Sequence, residues 1–316
     1  MYDLIIIGGS AAATTAGIYA ARRGLKFKII SKDFGGEVVT SGEIGNWPGD
    51  GMTDGIALAD KFKKHLESYK VDMEDGIEVE NIKKQDDSSF LVNTKNGQTY
   101  STKTVIITTG VHPKPLNVPG EQEFRNKGVS YCTTCDGPLF GGKTVATIGG
   151  GNSALESGLM LADIAAKVYV LNKNPQFKGD DILIENLKKK QNVEIIYNAN
   201  ATEILGDQFV RGLKYKDNSP AGEGKENELK LDGAFVHIGM IPNSGIVPEE
   251  VEKNQFGEIV VNANCETRST SSGQAIPGFY AAGDVTNVPF KQIVIAAGQG
   301  CIATLSAVQY LNKLKV

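Results

Sequence analysis

Two of the chain's four cysteines stand three positions apart, in Cys132-Thr133-Thr134-Cys135-Asp136. Three chemistries use that spacing. The pair can cycle between dithiol and disulfide, it can be half of a zinc site, or it can be two inert buried thiols. Zinc needs a second pair of ligands, yet there is no second C-x-x-C, and His65, His112 and His237 are scattered. The neighbours favour redox work. Asp136 can carry the proton that thiol–disulfide exchange moves, and Gly137-Pro138 makes a turn that can hold the motif at a surface. Cys265 and Cys301 stand alone and read as packing residues.

A redox dithiol needs an electron source, and two glycine turns offer places for one. Residues 4–7 form an apolar run, Gly8-Gly9-Ser10 a turn, residues 11–24 an alanine-rich helix and residues 27–30 a second strand. Dinucleotide sites need small residues at such a turn, so that backbone N–H groups can approach the pyrophosphate. The G-x-G-x-x-G positions fall on Gly8, Ser10 and Ala13, so a nucleotide site and a bare structural βαβ unit both remain open. The pattern returns with a strand at 144–148, Gly149-Gly150-Gly151, a helix at 153–164 and a strand at 167–171. Here Gly149, Gly151 and Ala154 fit the accepted G-x-G-x-x-[GA] form. The strand ends in Asn172-Lys173-Asn174, where an NAD site carries an acidic residue and an NADP site an arginine. Lys173 and Lys178 are point charges without the fork of arginine. Gly283-Asp284 follows another buried strand. Its carboxylate can bond a cofactor hydroxyl or cap a helix. Glu156 reads as a solvated helix residue.

The elements that position these motifs are those of an α/β protein with two dinucleotide-binding, Rossmann-like, three-layer domains. A length of 316 residues exceeds what one core usually fills. A net charge of −4 without a basic cluster argues against nucleic acid. No apolar run reaches the ~20 residues of a membrane span, and the start lacks the pattern of a signal peptide, so a cytoplasmic location is expected. Lys95-Asn96-Gly97 marks a hairpin, residues 216–228 an exposed hairpin or loop, and residues 292–314 the last helix.

Taken in order, these motifs resemble the low-molecular-weight thioredoxin reductases from end to end. The matching stretches are Phe34-Gly35-Gly36-Glu37, Asn46-Trp47-Pro48-Gly49, Thr108-Thr109-Gly110, Tyr131 to Pro138, Gly149 to Ser153, Ile238 to Asn243, Ala281 to Thr286 and Lys291-Gln292-Ile293. The chain is also similar to the flavoprotein component of alkyl hydroperoxide reductase, which carries N-terminal thioredoxin-like modules that this chain has no room for. The resemblance implies an FAD domain at 1–116 and 243–316, with an inserted NADPH or NADH domain at 117–242 that carries the dithiol. FAD would meet Gly8, Ser10, Ala11, Ala13, Gly35, Gly36, Glu37, Asn46, Val79, Thr109, Gly110, Gly283, Asp284, Lys291, Gln292 and Ile293. The nicotinamide nucleotide would meet Gly149, Gly151, Asn152, Ser153 and Lys173. Cys135 would face the flavin, Cys132 would attack a thioredoxin-like partner, and Asp136 would be the acid–base group.

The same resemblance implies a homodimer and a swivelling inserted domain, with hinges at 113–119 and 243–245. The chain departs from the pattern in four places. The first turn lacks two glycines, and Asn172-Lys173-Asn174 replaces the His-Arg-Arg of NADPH-using members. The glutamate of NADH-using relatives is also missing at 172, and residues 268–276 lengthen a loop. Three alternatives follow: an NADH-fed reductase of a peroxiredoxin system, a reductase with a ferredoxin-type donor, and a non-catalytic redox sensor.

Overall fold

The computed structural model describes all residues except Gly42, Glu223, Lys315, Val316 and the side chain of Glu43. The chain divides into two compact units, Met1–His112 with Ile241–Val316, and Pro113–Met240.

In the first unit, strand Tyr2–Ile7 pairs in parallel with Phe27–Ser31 and Thr99–Ile107. Ala275–Ala281 joins Thr99–Ile107 in parallel, and Met73–Asp75 joins Phe27–Ser31. The antiparallel hairpin Val79–Lys84 with Phe90–Thr94 adds to Thr99–Ile107. Leu4, Ile5, Ile6 and Ile7 are all buried because both faces of the sheet are covered. Leu4 and Ile6 face α1 (Ala11–Arg22) and α2 (Gly55–Ser68), while Ile5 and Ile7 pack with Phe90, Val105 and Phe279.

The second unit centres on Thr144–Ile148, flanked in parallel by Lys167–Asn172 and Gly233–Val236. Its dithiol turn, α3 (Thr133–Asp136), follows the short outer strand Val129–Ser130, and α4 (Asn152–Ala162) and α5 (Asp181–Lys188) follow the glycine turn. Ala199–Gly206, Val210–Asp217 and Lys225–Lys230 form an antiparallel three-stranded sheet. The polar 216–228 stretch is therefore a hairpin end, with residue 223 outside the described residues.

The last helix, α6 (Ile293–Lys313), has 21 residues and contains an 18-residue window with a mean hydropathy of 1.4, a length and composition that core helices share with membrane spans. Single polar residues such as Gln299 and Gln309 interrupt its apolar runs, and the window average stays at 1.4 despite them. It packs on α1, where Thr304 Oγ1 donates to the Ala16 carbonyl at 3.2 Å and Ala303 and Ala307 are buried. Val111–Pro113 and Met240–Pro242 pair as a two-stranded ribbon, the first reaching into the stretch 113–119 and the second ending just before 243–245. Pro113 and Pro115 carry no N–H, which ends regular pairing there. The lengthened loop is a hairpin end between Glu266–Arg268 and Ala275–Ala281, closed by Arg268 Nε donating to Gly273 O at 3.0 Å.

Candidate redox site and nucleotide cradles

Cys132 and Cys135 form a disulfide with their Cα atoms 5.3 Å apart. Cys132 caps α3 in extended backbone, and the Cys135 N–H points at its sulfur, 3.3 Å away. Both cysteines are half-buried. Ser130, on the strand before the turn, ties the motif together. Its hydroxyl donates to Asp136 Oδ2 at 2.6 Å and accepts from the Cys132 N–H at 3.1 Å. Burial pushes the Asp136 carboxyl up, and the Ser130 hydrogen bond partly offsets this. A carboxyl with a raised pKa holds its proton longer on the way to neutral pH, which suits proton transfer to a departing thiolate.

Three partners of this turn carry no signal in the sequence pattern. Glu121 is almost wholly buried. Its carboxylate accepts from the Leu116 and Asn117 N–H groups at 2.7 and 2.8 Å and from Tyr131 Oη at 2.8 Å. The Thr133 hydroxyl lies 2.6 Å from Ser157 Oγ and 2.7 Å from His237 Nε2. Burial pushes His237 down to about 4, so the ring is neutral at physiological pH.

In the first unit the glycine turn meets three other segments at the start of α1. Gly8 has φ +130°, and a Cβ there would fall 2.3 Å from the Thr108 carbonyl oxygen. Gly35 N donates to Gly9 O at 2.8 Å, and Gly36 lies against Ser10. Ser10 is the N-cap residue of α1 but makes no side-chain cap bond, and Ala11 and Ala13 are buried behind it. Gly283 packs against Ala12. Beside it, Asp284 is half-buried, and its buried Oδ1 has no hydrogen-bond partner among the described residues. Burial raises its carboxyl to about 6, Lys291 opposes the shift, and Glu37 adds to it.

Asn46 Nδ2 donates to Gln292 Oε1 at 3.2 Å, just before Ile293 opens α6. Thr109 Oγ1 donates to Asn243 O at 2.7 Å, and Gly110 O accepts from Asn243 N at 3.0 Å. Two residues stand differently from the rest. Lys291 is engaged by Glu258 at 2.8 Å and by the Thr286 carbonyl at 2.7 Å. Val79 is buried in the apolar cluster with Ile30 and Phe90, so its side chain is a core residue.

In the second unit Gly149 has φ +153°, and a Cβ there would fall 2.1 Å from the His237 carbonyl oxygen. Gly149→Ala is therefore expected to destabilise the protein by about 1–3 kcal/mol, read as a lower urea midpoint, and an unchanged midpoint would contradict it. Gly151, Asn152 and Ser153 are exposed at the start of α4, where Asn152 exchanges hydrogen bonds with Asp180 at 2.8 and 2.9 Å. Asn172 is buried and turned into its own loop. It donates to Gln176 O at 2.8 Å and accepts from Asn174 N at 3.1 Å. Lys173 and Glu156 are exposed.

Residues 2–300 match the family described as Pyridine nucleotide-disulphide oxidoreductase. The NADH dehydrogenase of Bacillus subtilis (strain 168) is 40% identical over 98% of this chain. The F component of the alkyl hydroperoxide reductase of Escherichia coli (strain K12) is 39% identical over 99% of it. The chain spans 58% and 59% of the length of these two relatives. Among solved structures, thioredoxin reductase from Streptococcus pyogenes MGAS5005 has a TM-score of 0.90 at 33% identity, covering 99% of each chain. Thioredoxin reductase from Giardia duodenalis has a TM-score of 0.89 at 28% identity, covering 98% of this chain and 99% of its own. With the disulfide and both glycine cradles in place, the chain belongs to the pyridine nucleotide-disulphide oxidoreductase family, which implies FAD and a nicotinamide cofactor.

Proposed function

We propose that the protein is a thioredoxin-disulfide reductase that takes electrons from NADPH or NADH and delivers them through Cys132 and Cys135 to a thioredoxin-like protein. The observation that carries this reading is the disulfide on a one-turn helix beside a carboxyl of raised pKa, with Ser130 bridging the two. On this reading residues 1–116 and 243–316 hold FAD and residues 117–242 hold the nicotinamide nucleotide.

The first cradle fits FAD. The N-terminal N–H groups of α1 suit a pyrophosphate, and the unpartnered Asp284 oxygen suits a hydroxyl donor. Gly8, Ser10, Ala11, Ala13, Gly35, Gly36 and Gly283 would let the cofactor backbone approach. Glu37, Asn46, Thr109, Gly110, Gln292 and Ile293 would border it, Val79 would act through its backbone, and Lys291 would act through its field on Asp284. FAD bound there would supply the two-electron exchange between nicotinamide and disulfide. Gly149, Gly151, Asn152 and Ser153 would hold the nucleotide pyrophosphate, with Lys173 beside the ribose.

The thiol steps need only the chain's own residues. Cys132 thiolate attacks one sulfur of the partner disulfide, forming a mixed disulfide and releasing one partner thiolate. Asp136 gives that thiolate a proton. Cys135 then attacks Cys132 Sγ, which restores the Cys132–Cys135 disulfide and releases the second thiolate. The partner gains two electrons and the dithiol loses two.

Donor preference follows from the loop at 172–174. Asn172 is held inward, and Lys173 is a single exposed cation without a bidentate fork. The expected result is bleaching of the bound flavin by NADPH and by NADH with second-order rate constants within about 10-fold of each other, since one exposed charge contributes on the order of 1 kcal/mol. A preference above 100-fold would contradict this. Bleaching by neither would point to a ferredoxin-type donor.

The likeness to the F component of alkyl hydroperoxide reductase supports a second reading, in which the partner is a thioredoxin-like module that feeds a peroxiredoxin. Turnover with a thioredoxin, compared with such a module plus its peroxiredoxin, decides between them.

A further inference from the structure

Thr133 lies inside the C-x-x-C turn, but its side chain points away from the sulfurs into the body of its own unit. There Thr147 Oγ1 donates to Ser157 Oγ at 3.1 Å, Ser157 and Thr133 hydroxyls lie 2.6 Å apart, and Thr133 Oγ1 lies 2.7 Å from His237 Nε2. Thr133, Thr147 and Ser157 are buried. Counting protons gives the chain a direction. If His237 Nε2 carried the proton and donated to Thr133, Thr133 would donate to Ser157. The Ser157 hydroxyl would then accept twice and have no acceptor of its own among the described residues. With Nε2 as acceptor, each hydroxyl donates once, in the order Thr147, Ser157, Thr133, His237. The imidazole is therefore the terminal acceptor, protonated at Nδ1. Its neutrality fits this role, because burial alone disfavours the charged ring and no charged side chain contributes to the shift. The nearest carboxyl on the turn, Asp136, is bonded to Ser130.

We infer that His237 is a positioning residue for the dithiol: by accepting from Thr133 it fixes the first residue of the turn, and so holds the Cys135 N–H on Cys132 Sγ. That N–H lies 3.3 Å from the sulfur in the disulfide form. In the dithiol form the same donor favours the Cys132 thiolate. A loosened Thr133 lets the turn rotate, the donor loses its aim, and the Cys132 pKa rises. This inference rests on the reading that Cys132 is the attacking thiol.

The test uses the reduced full-length flavoprotein carrying Cys135→Ser, with iodoacetamide alkylation of Cys132 followed across pH by mass spectrometry, so that the half-buried Cys301 is scored separately. His237→Leu should raise the Cys132 pKa by about 0.5–1 unit and slow alkylation at neutral pH about 3–10-fold. His237→Gln, which keeps an acceptor, should stay within about 2-fold of the parent. Thr133→Val should reproduce the leucine effect, and His237→Leu should add nothing on top of it.

The inference is overturned if His237→Leu leaves the profile unchanged, if glutamine behaves like leucine, or if the two substitutions add. Should His237→Leu lose its cooperative melt, Thr133→Val against Thr133→Ser carries the test: valine must slow the reaction and serine must not, and the reverse overturns it. Alkylation is read on the protein alone. A parent protein that fails to turn over thioredoxin therefore counts against the proposed function, and leaves the judgement on His237 to its own data.

Discussion

On the proposed function, Cys132→Ser and Cys135→Ser should each lower thioredoxin reduction by at least about 10³-fold, because each would remove a sulfur that has no substitute in the exchange. The two losses differ in kind. With Cys135→Ser the attacking thiol remains and the resolving thiol is gone, so the partner stays covalently attached to Cys132. A non-reducing gel should show a band at the summed mass of protein and thioredoxin, and reductant should remove it. With Cys132→Ser no such band forms. Bleaching of the bound flavin by the nicotinamide donor should persist in both variants, since neither sulfur touches that event. A band with Cys132→Ser and none with Cys135→Ser would exchange the two roles. Turnover by the double serine variant would remove the dithiol from the mechanism.

The second large effect is expected at Asp284. Its residue is half-buried, its buried Oδ1 has no partner among the described residues, and burial raises its pKa to about 6. For an acid whose folded pKa lies above its unfolded value, the stabilising contribution is complete below the unfolded pKa of 3.8 and is lost as pH rises through the folded pKa. The protein without cofactor therefore carries a penalty above pH ~6 for an ionised carboxylate in a dry place. A hydroxyl donated by FAD would relieve that penalty and lower the pKa in the complex, so binding would release a proton. FAD affinity should rise as pH climbs through the region below about 6 and level off above it. A charge-assisted hydrogen bond contributes roughly 1.5–3 kcal/mol, so Asp284→Asn should weaken FAD binding about 10–100-fold at pH 7.5 and flatten the pH dependence. Fluorescence titration of the apoprotein with FAD measures both. A wild-type affinity that ignores pH, or an asparagine variant that binds as tightly, would rule out this role for Asp284.

The fold was legible wherever burial leaves a one-dimensional trace. Residues 4–7 and 144–148 read as apolar runs because a parallel strand is covered on both faces, and each run stops at a glycine that the chain needs for close approach. The hairpin at 95–97 showed for the same local reason. The polar scaffolding did not show. Ser130, Glu121 and His237 act through partners that the sequence separates by up to 104 positions, and a single buried polar residue has no period to betray it. Direction was equally hidden. Asn172 and Lys291 were visible as residues near a nucleotide, but only the structure shows one amide closing its own loop and one ammonium held by Glu258 and a carbonyl. The last helix was visible as a helix, and its small residues Ala303 and Ala307 face α1.

The split of the first unit around the second also sets an order of assembly. Thr99–Ile107 sits between Tyr2–Ile7 and Ala275–Ala281, and α1 has α6 as a packing partner. The pairing of Thr99–Ile107 with Tyr2–Ile7 is available early, but its pairing with Ala275–Ala281 and the packing of α6 on α1 must wait until residues beyond 240 have been made. The unit Pro113–Met240 is continuous and can fold while synthesis goes on. At ribosomal rates of about 5–20 residues per second, α1 waits roughly 15–60 s for α6. Gly283 and Asp284 arrive only in that last interval, so the newborn protein can complete the dithiol unit first, and the cradle proposed for FAD last.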